Sequence, residues 1–434
     1  MKFTTTQIVI AGVVLFIVVI IGLIFTGIIP GLRSADTTQL TGTITVWGVY
    51  DDPQKINETL IADFKAKNPK VEVKYQSFDP ATYENDILDA LASGFGPDVL
   101  MIHNTWLLKH ASKLFPLTAV QYPVGNYEAL FPTVAVQDFT MNGDTYAMPL
   151  YIDTLATLYN KNLFDNSAIT TAPTTWDTLT TLVPRLNRIN AGGQIELSAV
   201  ALGSAGNVAN SADILQLMML QDGVQMVTED LTQARYDNNA GIDALKFYTS
   251  FANPGSPNYT WNRNLQPSLD SFAQESAVMT FAYAYQMGQV KEKNPFLSFG
   301  VAPIPQKAGS NLAVNYASYW GLAVTKTSRN PNLAWNFIFE SASNPANAKH
   351  YADVMNRPPA LRTLIAEKLA DPVMGVFAKQ ALTARSWRQI DPNFVTKSLN
   401  NVIESVITGQ LAPDKALRTS ASELTELMRV KASR

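Results

Sequence analysis

The side chains able to do chemistry are few, and their spacing argues against most of it. Three histidines occur, His103, His110 and His350. His103 and His110 are seven apart, which would suit one helix face. His103, however, follows an unbroken apolar run, Val99 to Ile102, that reads as a strand buried on both faces. No His-Glu-x-x-His occurs, so a zinc site of that kind has no support. There is no cysteine, which removes thiol catalysis, disulfides, cysteine–zinc sites and a lipid-bearing cysteine. Gly203-Ser204-Ala205-Gly206 lacks the spacing of a nucleophile elbow, and no phosphate-binding Gly-x-x-x-x-Gly-Lys-Ser/Thr is found. No metal, cofactor or catalytic set is therefore expected. Carboxylates are the open case, because the two acids of a glycosidase need only meet in space. Asp51, Asp52, Asp98 and Asp153 stand beside turns or strand ends, where an acid is more often a cap than a catalyst.

The aromatics are more suggestive. Of seven tryptophans, Trp176 and Trp335 fall in helical stripes and read as core. Trp47 follows an alternating strand and precedes Tyr50 and Asp51. Asn104 and Trp106 follow the buried strand. Tyr151 and Asp153 interrupt a long extended segment. Trp261 lies in the polar loop NYTWNRN, Tyr283 and Tyr285 follow AVMTF, and Trp320 opens a strand. Flat faces beside hydrogen-bonding groups suit a ligand with apolar faces and hydroxylated edges, such as a sugar. Strand ends of an open α/β sheet are where such a ligand would sit.

The elements that would position these residues are legible in the pattern. TITVWG alternates as a strand. Ile56, Leu60, Ile61 and Phe64 make a helix stripe that Asn68-Pro69 stops. VEVKYQ is a second strand, and Tyr83, Ile87, Leu88 and Leu91 a second helix, closed by Gly94. With the run at Val99 this is strand–helix–strand–helix–strand, an α/β layer. Met141 to Asp144 is a hairpin signal. YAMPLYIDTLATLYN is too long for one strand and could cross between domains. Thr174-Thr175 caps the helix of Trp176. FGVAPIP and YWGLAVT are again extended, and the chain from Asn330 is mostly helical, with breaks at Arg357-Pro358-Pro359 and near Asp391-Pro392. Such a chain leaves one lobe, builds another, returns and leaves again.

With 434 residues, two domains are expected. The net charge is −3 with no basic tract, so nucleic acid is not an expected partner. From Gln7 to Pro30 the chain is uncharged and apolar, long enough to span a bilayer. Arg33 stands where a cleavage site would want a small residue, so the reading is an uncleaved single-pass anchor with the rest outside; a cleaved signal peptide is the alternative.

Taken in order, TITVWG, LIADFKAKNPKVEVKYQ, LDALASGFGPDVLMI, NGDTYAMPLYIDTLATLYNKNLF, APTTWDTL, SFAQESAVMTF, FGVAPIP, WGLAVTKTSRNPNLAWNFI and MNRPPALR resemble the extracellular solute-binding proteins of ABC importers, the family that includes maltose-binding protein. The resemblance runs from about residue 43 to 365. It departs at Gln274, Glu275 and Ser276, where a Gly-x-Ala type turn is common, and in lacking a lipid-accepting cysteine. It implies a type II, two-lobed periplasmic-binding-protein-like α/β fold with a hinge, here behind one transmembrane helix. The expected division is an anchor over 1–34, a tether over 35–42, lobe I over 43–150 plus 303–357, and lobe II over 151–302 plus 358–434. The implied function is non-enzymatic. A solute, expected to be a sugar or oligosaccharide, is held between closing lobes and passed by this monomeric, extracellular or periplasmic protein to a membrane permease. The cleft set is Trp47, Tyr50, Asp51, Asn104, Trp106, Tyr151, Asp153, Trp261, Tyr283, Tyr285, Trp320 and Arg357. An anchored glycan hydrolase using Asp98 and Asp153 and a sensor domain read by a receptor are the alternatives.

Overall fold

A computed structural model describes residues 40–432; the apolar segment over 7–30 lies outside them. Among the described residues no helix is long and apolar enough to cross a membrane. Strand β1 (Gly42–Val49) is followed by helix α1 (residues 53–67), which contains one π turn at Asn57–Ile61. Strand β2 (Val71–Phe78), helix α2 (Tyr83–Ala92), strand β3 (Val99–His103) and the short helix α3 (Leu107–His110) come next. The alternation of β1 and β2 and the stripe of α2 appear as expected. Gly94 has φ 78, the left-handed backbone that ends a helix at low cost to glycine. The hairpin forms at Asn142 and Gly143, both with positive φ, which matches the twist of the flanking strands.

The first sheet has five strands in the order β2-β1-β3-β8-β4, where β4 is Ala147–Pro149 and β8 is Trp320–Val324. β1, β2 and β3 are parallel, and β8 runs antiparallel to both β3 and β4. Because β8 is antiparallel, its first residue, Trp320, stands opposite the last residue of β3, His103. Both therefore lie on the same edge of the sheet, where the exits of β1 and β3 also emerge.

The long extended segment divides. After β4 the chain crosses over 150–155 and enters β5 (Ala156–Asn160), the central strand of a three-stranded antiparallel sheet with β6 (Met279–Ala282) and β7 (Phe299–Pro303). Helix α4 (Ser211–Gln221) packs in this second half. Two further crossings lie beside the first. Thr154 bridges Ala317, Tyr151 bridges Pro359, and Asn315-Tyr316 runs parallel to Ala384-Arg385. Helices α5 (Pro331–Ala342) and α6 (Pro345–Met355) follow β8, and α7 (Pro392–Ile407) and α8 (Pro413–Ala432) end the chain.

Buried apolar side chains fall into two large groups. One gathers residues between Ile44 and Ile152 with others between Ala317 and Ala384. The other gathers Leu155 to Ile304, Tyr316 and Trp387 to Met428. A smaller group, including Leu158, Phe272 and Phe377, packs beside the second sheet. Ala360, Leu361, Leu364 and Ile365 thus pack with the first group, and Val395, Leu399 and Val402 with the second.

Candidate functional site

Between the two apolar groups lies a cavity of about 270 Å³. Its first-lobe wall is aromatic because the strand ends are. Trp320 begins β8, and its ring centroid is 5.1 Å from that of Trp106 and 5.2 Å from that of His103. Tyr50 follows β1 in a left-handed conformation, φ 61, which is uncommon for a side chain of its size. That turn brings its ring to 5.9 Å from both Trp320 and Tyr285, so one tyrosine touches the two lobes. Tyr83, fully buried, lies behind Trp106 in a stacked geometry and donates to the carbonyls of Trp47 and Met101.

Arg357 and Tyr151 close the hinge side. Arg357 Nη2 donates to Asp51 Oδ1 at 3.1 Å, and Tyr351 OH donates to Asp51 Oδ2 at 2.7 Å. The guanidinium lies 5.0 Å from the Tyr151 ring and 5.7 Å from the Tyr285 ring. Burial pushes the Asp51 carboxyl up from its ordinary range, and the adjacent guanidinium opposes that rise. Arg357 Nε is buried without a hydrogen-bond partner, although Arg357 lines the cavity. A donor in that state favours a ligand that offers an oxygen.

The second-lobe wall is polar. Asp213, in the first turn of α4, accepts from Tyr283 OH at 2.8 Å. Gln216, one turn later on α4, receives Tyr316 OH at 3.1 Å and Trp387 Nε1 at 2.7 Å on its carbonyl oxygen. Gln389 also reaches that oxygen, at 3.3 Å. Among the described residues Asp213 has no cationic partner, and burial raises its carboxyl to about 6. His103 joins from the opposite wall. Its ring nitrogens meet Thr105 Oγ1 at 2.8 Å and Ser318 Oγ at 3.1 Å, and burial lowers it to about 4, so the imidazole is neutral near pH 7.

Of the twelve residues named from sequence, Tyr50, Trp106, Tyr151, Tyr285, Trp320 and Arg357 line the cavity. The other six stand outside the lining. Trp47 packs on Phe78 at 4.4 Å. Asp51 is spent on Arg357 and Tyr351. Asn104 donates to Asp138 at 2.9 Å and accepts from the Tyr319 amide at 3.3 Å, so its polar atoms are consumed within the first lobe. Asp153, fully buried, accepts the amides of Thr154, Ala284 and Tyr285. It fixes the turn that carries Tyr285, and burial raises its carboxyl to about 7. Trp261 has no exposure and donates to Asn207. Tyr283 is buried behind Tyr285, ring on ring at 6.0 Å. Among the cavity-lining residues that the sequence reading does not name are the polar side chains of His103, Ser318, Asp213, Gln216, Gln389 and Asn393. His103 enters the wall as a neutral polar group, a role that needs no catalytic partner. Asp98, the other candidate acid, accepts from the Thr45 amide at 2.9 Å and Ser328 Oγ at 2.6 Å, and it lies outside the lining.

The family model for bacterial extracellular solute-binding proteins matches residues 59–373. The chain belongs to this family. A binding protein of Brucella abortus is 22% identical over 93% of this chain and 98% of its own length. A maltodextrin-binding protein of Bacillus subtilis is 26% identical over 68% of each chain. A solute-binding protein of an ABC transporter from Thermotoga lettingae, solved with α-D-tagatose, superposes with a TM-score of 0.72 at 21% identity, over 89% of this chain and all of its own. The two-lobed solute-binding fold expected from the sequence is therefore the fold of this chain.

Asp213 gives this solute-binding protein a test of site against stability. Its folded value lies above the ordinary carboxylate value of about 3.9. Between about pH 4 and 6 the folded chain holds a proton that the unfolded chain has released, so this group's contribution to stability falls as pH rises through that window. Asp213→Asn is expected to raise stability by about 2–3 kcal/mol at pH 8 and to leave it nearly unchanged at pH 4, read by urea unfolding at both values. The same variant is expected to bind solute more weakly at pH 8, because a charged acceptor is lost. An equal stability change at both pH values would overturn the assignment.

Proposed function

We propose that this protein captures a short, neutral saccharide in the cleft and delivers it to an ABC permease. The observation that carries the reading is one aromatic wall, Tyr50, Trp106 and Trp320, facing a wall of carboxylate and amide, Asp213, Gln216 and Gln389. Aromatic faces take the apolar faces of a sugar ring, and the polar wall takes its hydroxyls. The charge of Arg357 is balanced by Asp51, and Asp213 adds a carboxylate, which disfavours an anionic solute. A cavity of 270 Å³ holds the equivalent of about nine waters at ~30 Å³ each, which suits one or two sugar rings. The maltodextrin-binding and tagatose-bound relatives support a carbohydrate.

The lobe boundaries we propose follow the apolar groups: 43–150 with 317–384 for lobe I, and 155–316 with 387–432 for lobe II. This moves the last crossing from 358 to about 385, because Ala360, Leu361, Leu364, Ile365, Ala381 and Ala384 pack with the first apolar group, while Met374 and Phe377 between them pack beside the second sheet. The segment over 7–30 is proposed as the membrane anchor, the soluble part as extracellular or periplasmic, and the protein as a monomer that makes no chemical change to its solute. Neither Asp98 nor Asp153, the acids a hydrolase reading would use, lines the cavity.

A thermal-shift panel of mono-, di- and trisaccharides, polyols, sugar acids and amino acids tests the reading. A solute at about a hundredfold its Kd adds about 2.7 kcal/mol, a rise of several degrees in Tm. Neutral mono- or disaccharides are expected to give it, with no product formed. A shift from sugar acids or amino acids alone, or turnover of a bound sugar, would overturn it.

A further inference from the structure

The cleft is bridged by a group of charged side chains that play no part in holding either lobe's core. Glu84 on α2 and Lys109 on α3 belong to the first lobe, and their helices pack there through Tyr83, Ile87 and Leu107. Asp391 and Asn393 open α7, whose Val395, Leu399 and Val402 pack in the second. Glu84 Oε1 accepts from Lys109 Nζ at 2.8 Å and from His110 Nε2 at 2.8 Å. Glu84 Oε2 accepts from Asn393 Nδ2 at 2.8 Å, across the cleft. Lys109 Nζ also reaches Asp391 Oδ2 at 3.2 Å, again across the cleft, and Lys431 of α8 approaches the same oxygen at 3.3 Å. Asn393 lines the cavity, so the bridge forms part of the cavity wall.

These are not loose surface pairs. The side chains of Glu84, Lys109 and Asp391 keep only 13%, 19% and 20% of their exposure. Partly buried pairs are screened less by salt than exposed ones, and a carboxylate with two charge-assisted donors outweighs a single surface bridge. The neighbours hold Glu84 down to about 2, against the upward push of its own burial, and Asp391 is held low as well. Both carboxylates are therefore charged throughout the neutral range.

We propose that Glu84 and Lys109 on one lobe and Asp391 and Asn393 on the other are a latch that holds the cleft closed before a solute arrives. It rests on the two lobes moving about the hinge and does not depend on which solute they take. Apparent affinity is the intrinsic affinity scaled by the population able to bind. If the closed form is the one that grips solute, every solute gains from the latch by the same factor.

The chain has no cysteine, so two introduced ones can be labelled without background. Val120→Cys and Phe296→Cys place labels on exposed positions, 93% and 95%, next to the first and second lobe respectively. The inter-lobe distance is measured by pulsed electron resonance in the solute-free protein, with and without Glu84→Gln plus Asp391→Asn. Asparagine at 391 keeps the side-chain oxygen that caps α7 at Phe394. The expected result is one distance population in the parent and an added, different one in the double variant. Affinities for all solutes should fall together, by roughly 3- to 10-fold. An unchanged distance distribution would overturn the latch. Should the double variant fail to fold, Lys109→Met removes the shared cation alone and is read the same way. Because the distances are taken without solute, the latch stands or falls separately from the carbohydrate reading.

Discussion

Asp51→Ala is expected to lower the unfolding free energy by about 3–5 kcal/mol, the largest loss from any single charge in the cleft region. Asp51 is 4% exposed and Arg357 7%, so water cannot replace the lost partner. The substitution leaves a guanidinium that stays charged at any accessible pH, stacked on Tyr151 and Tyr285, with Nη2 unpaired and Nε already without a partner. It also strips Tyr351 OH of its acceptor. Urea unfolding followed by tryptophan fluorescence reads the loss. Asp51→Asn separates the causes: it keeps the shape and an acceptor for one donor but removes the counter-charge, so an intermediate loss is expected. A double change, Asp51→Leu with Arg357→Met, should recover much of the stability, since an apolar pair of similar volume escapes both desolvation costs. It should not recover binding, because Arg357 is part of the cavity wall. A loss below about 1 kcal/mol for Asp51→Ala would mean that the pair is effectively solvated, contrary to its burial.

How much of this was readable beforehand depended on whether a residue's neighbours in sequence are also its neighbours in space. β1, β2, α2 and β3 were legible because their apolar periods are local and a Pro or Gly stands near one end of each, after β1, β2 and α2 and before β3. Trp106 and Trp320 were legible as site residues because each stands where an apolar run stops at the strand end that faces the cleft. Asn104 occupies the same kind of place, and only the fold shows that Asp138 and Tyr319 have taken its hydrogen bonds. Trp261 sits among polar residues in sequence, yet the loop folds inward and buries it against Asn207. Asp213 and Gln216 were illegible for the opposite reason. They lie on a helix that is otherwise buried and apolar, SADILQLMMLQ, and look like the polar interruptions that any helix carries. What makes them a wall is the return of residues 384–393 beside them, which places Gln389 against Gln216. That return is also why we propose the lobe boundary near 385. The break at Arg357-Pro358-Pro359 resembles a crossing, but Leu361, Leu364 and Ile365 just after it pack with the first apolar group, and only further on do Met374 and Phe377 pack beside the second sheet.

Trp320→Ala is expected to weaken saccharide binding by about 2–4 kcal/mol, roughly 30- to 700-fold in Kd, measured by calorimetry with the tightest-binding saccharide of the panel. Trp320 is the centre of the aromatic wall, within 6.0 Å, ring to ring, of Tyr50, Tyr83, His103 and Trp106. Its removal takes away one stacking face and also the support that fixes three others that line the cavity. The backbone role survives, because the Trp320 carbonyl still receives the Leu150 amide. Trp320→Phe should keep a face and lose area, so its effect should be several-fold smaller. The control that gives the measurement meaning is Trp261→Ala. That side chain has no exposure, so its truncation should cost about 3–5 kcal/mol of stability and leave the affinity of the molecules that remain folded nearly native. Trp320 is partly exposed to the cavity, so the opposite split is expected, with the larger loss in binding and the smaller in stability. If Trp320→Ala instead unfolds the protein as readily as Trp261→Ala and binds within threefold of the parent, the aromatic wall is packing, and recognition of the solute must come from the polar side through Asp213, Gln216 and Gln389.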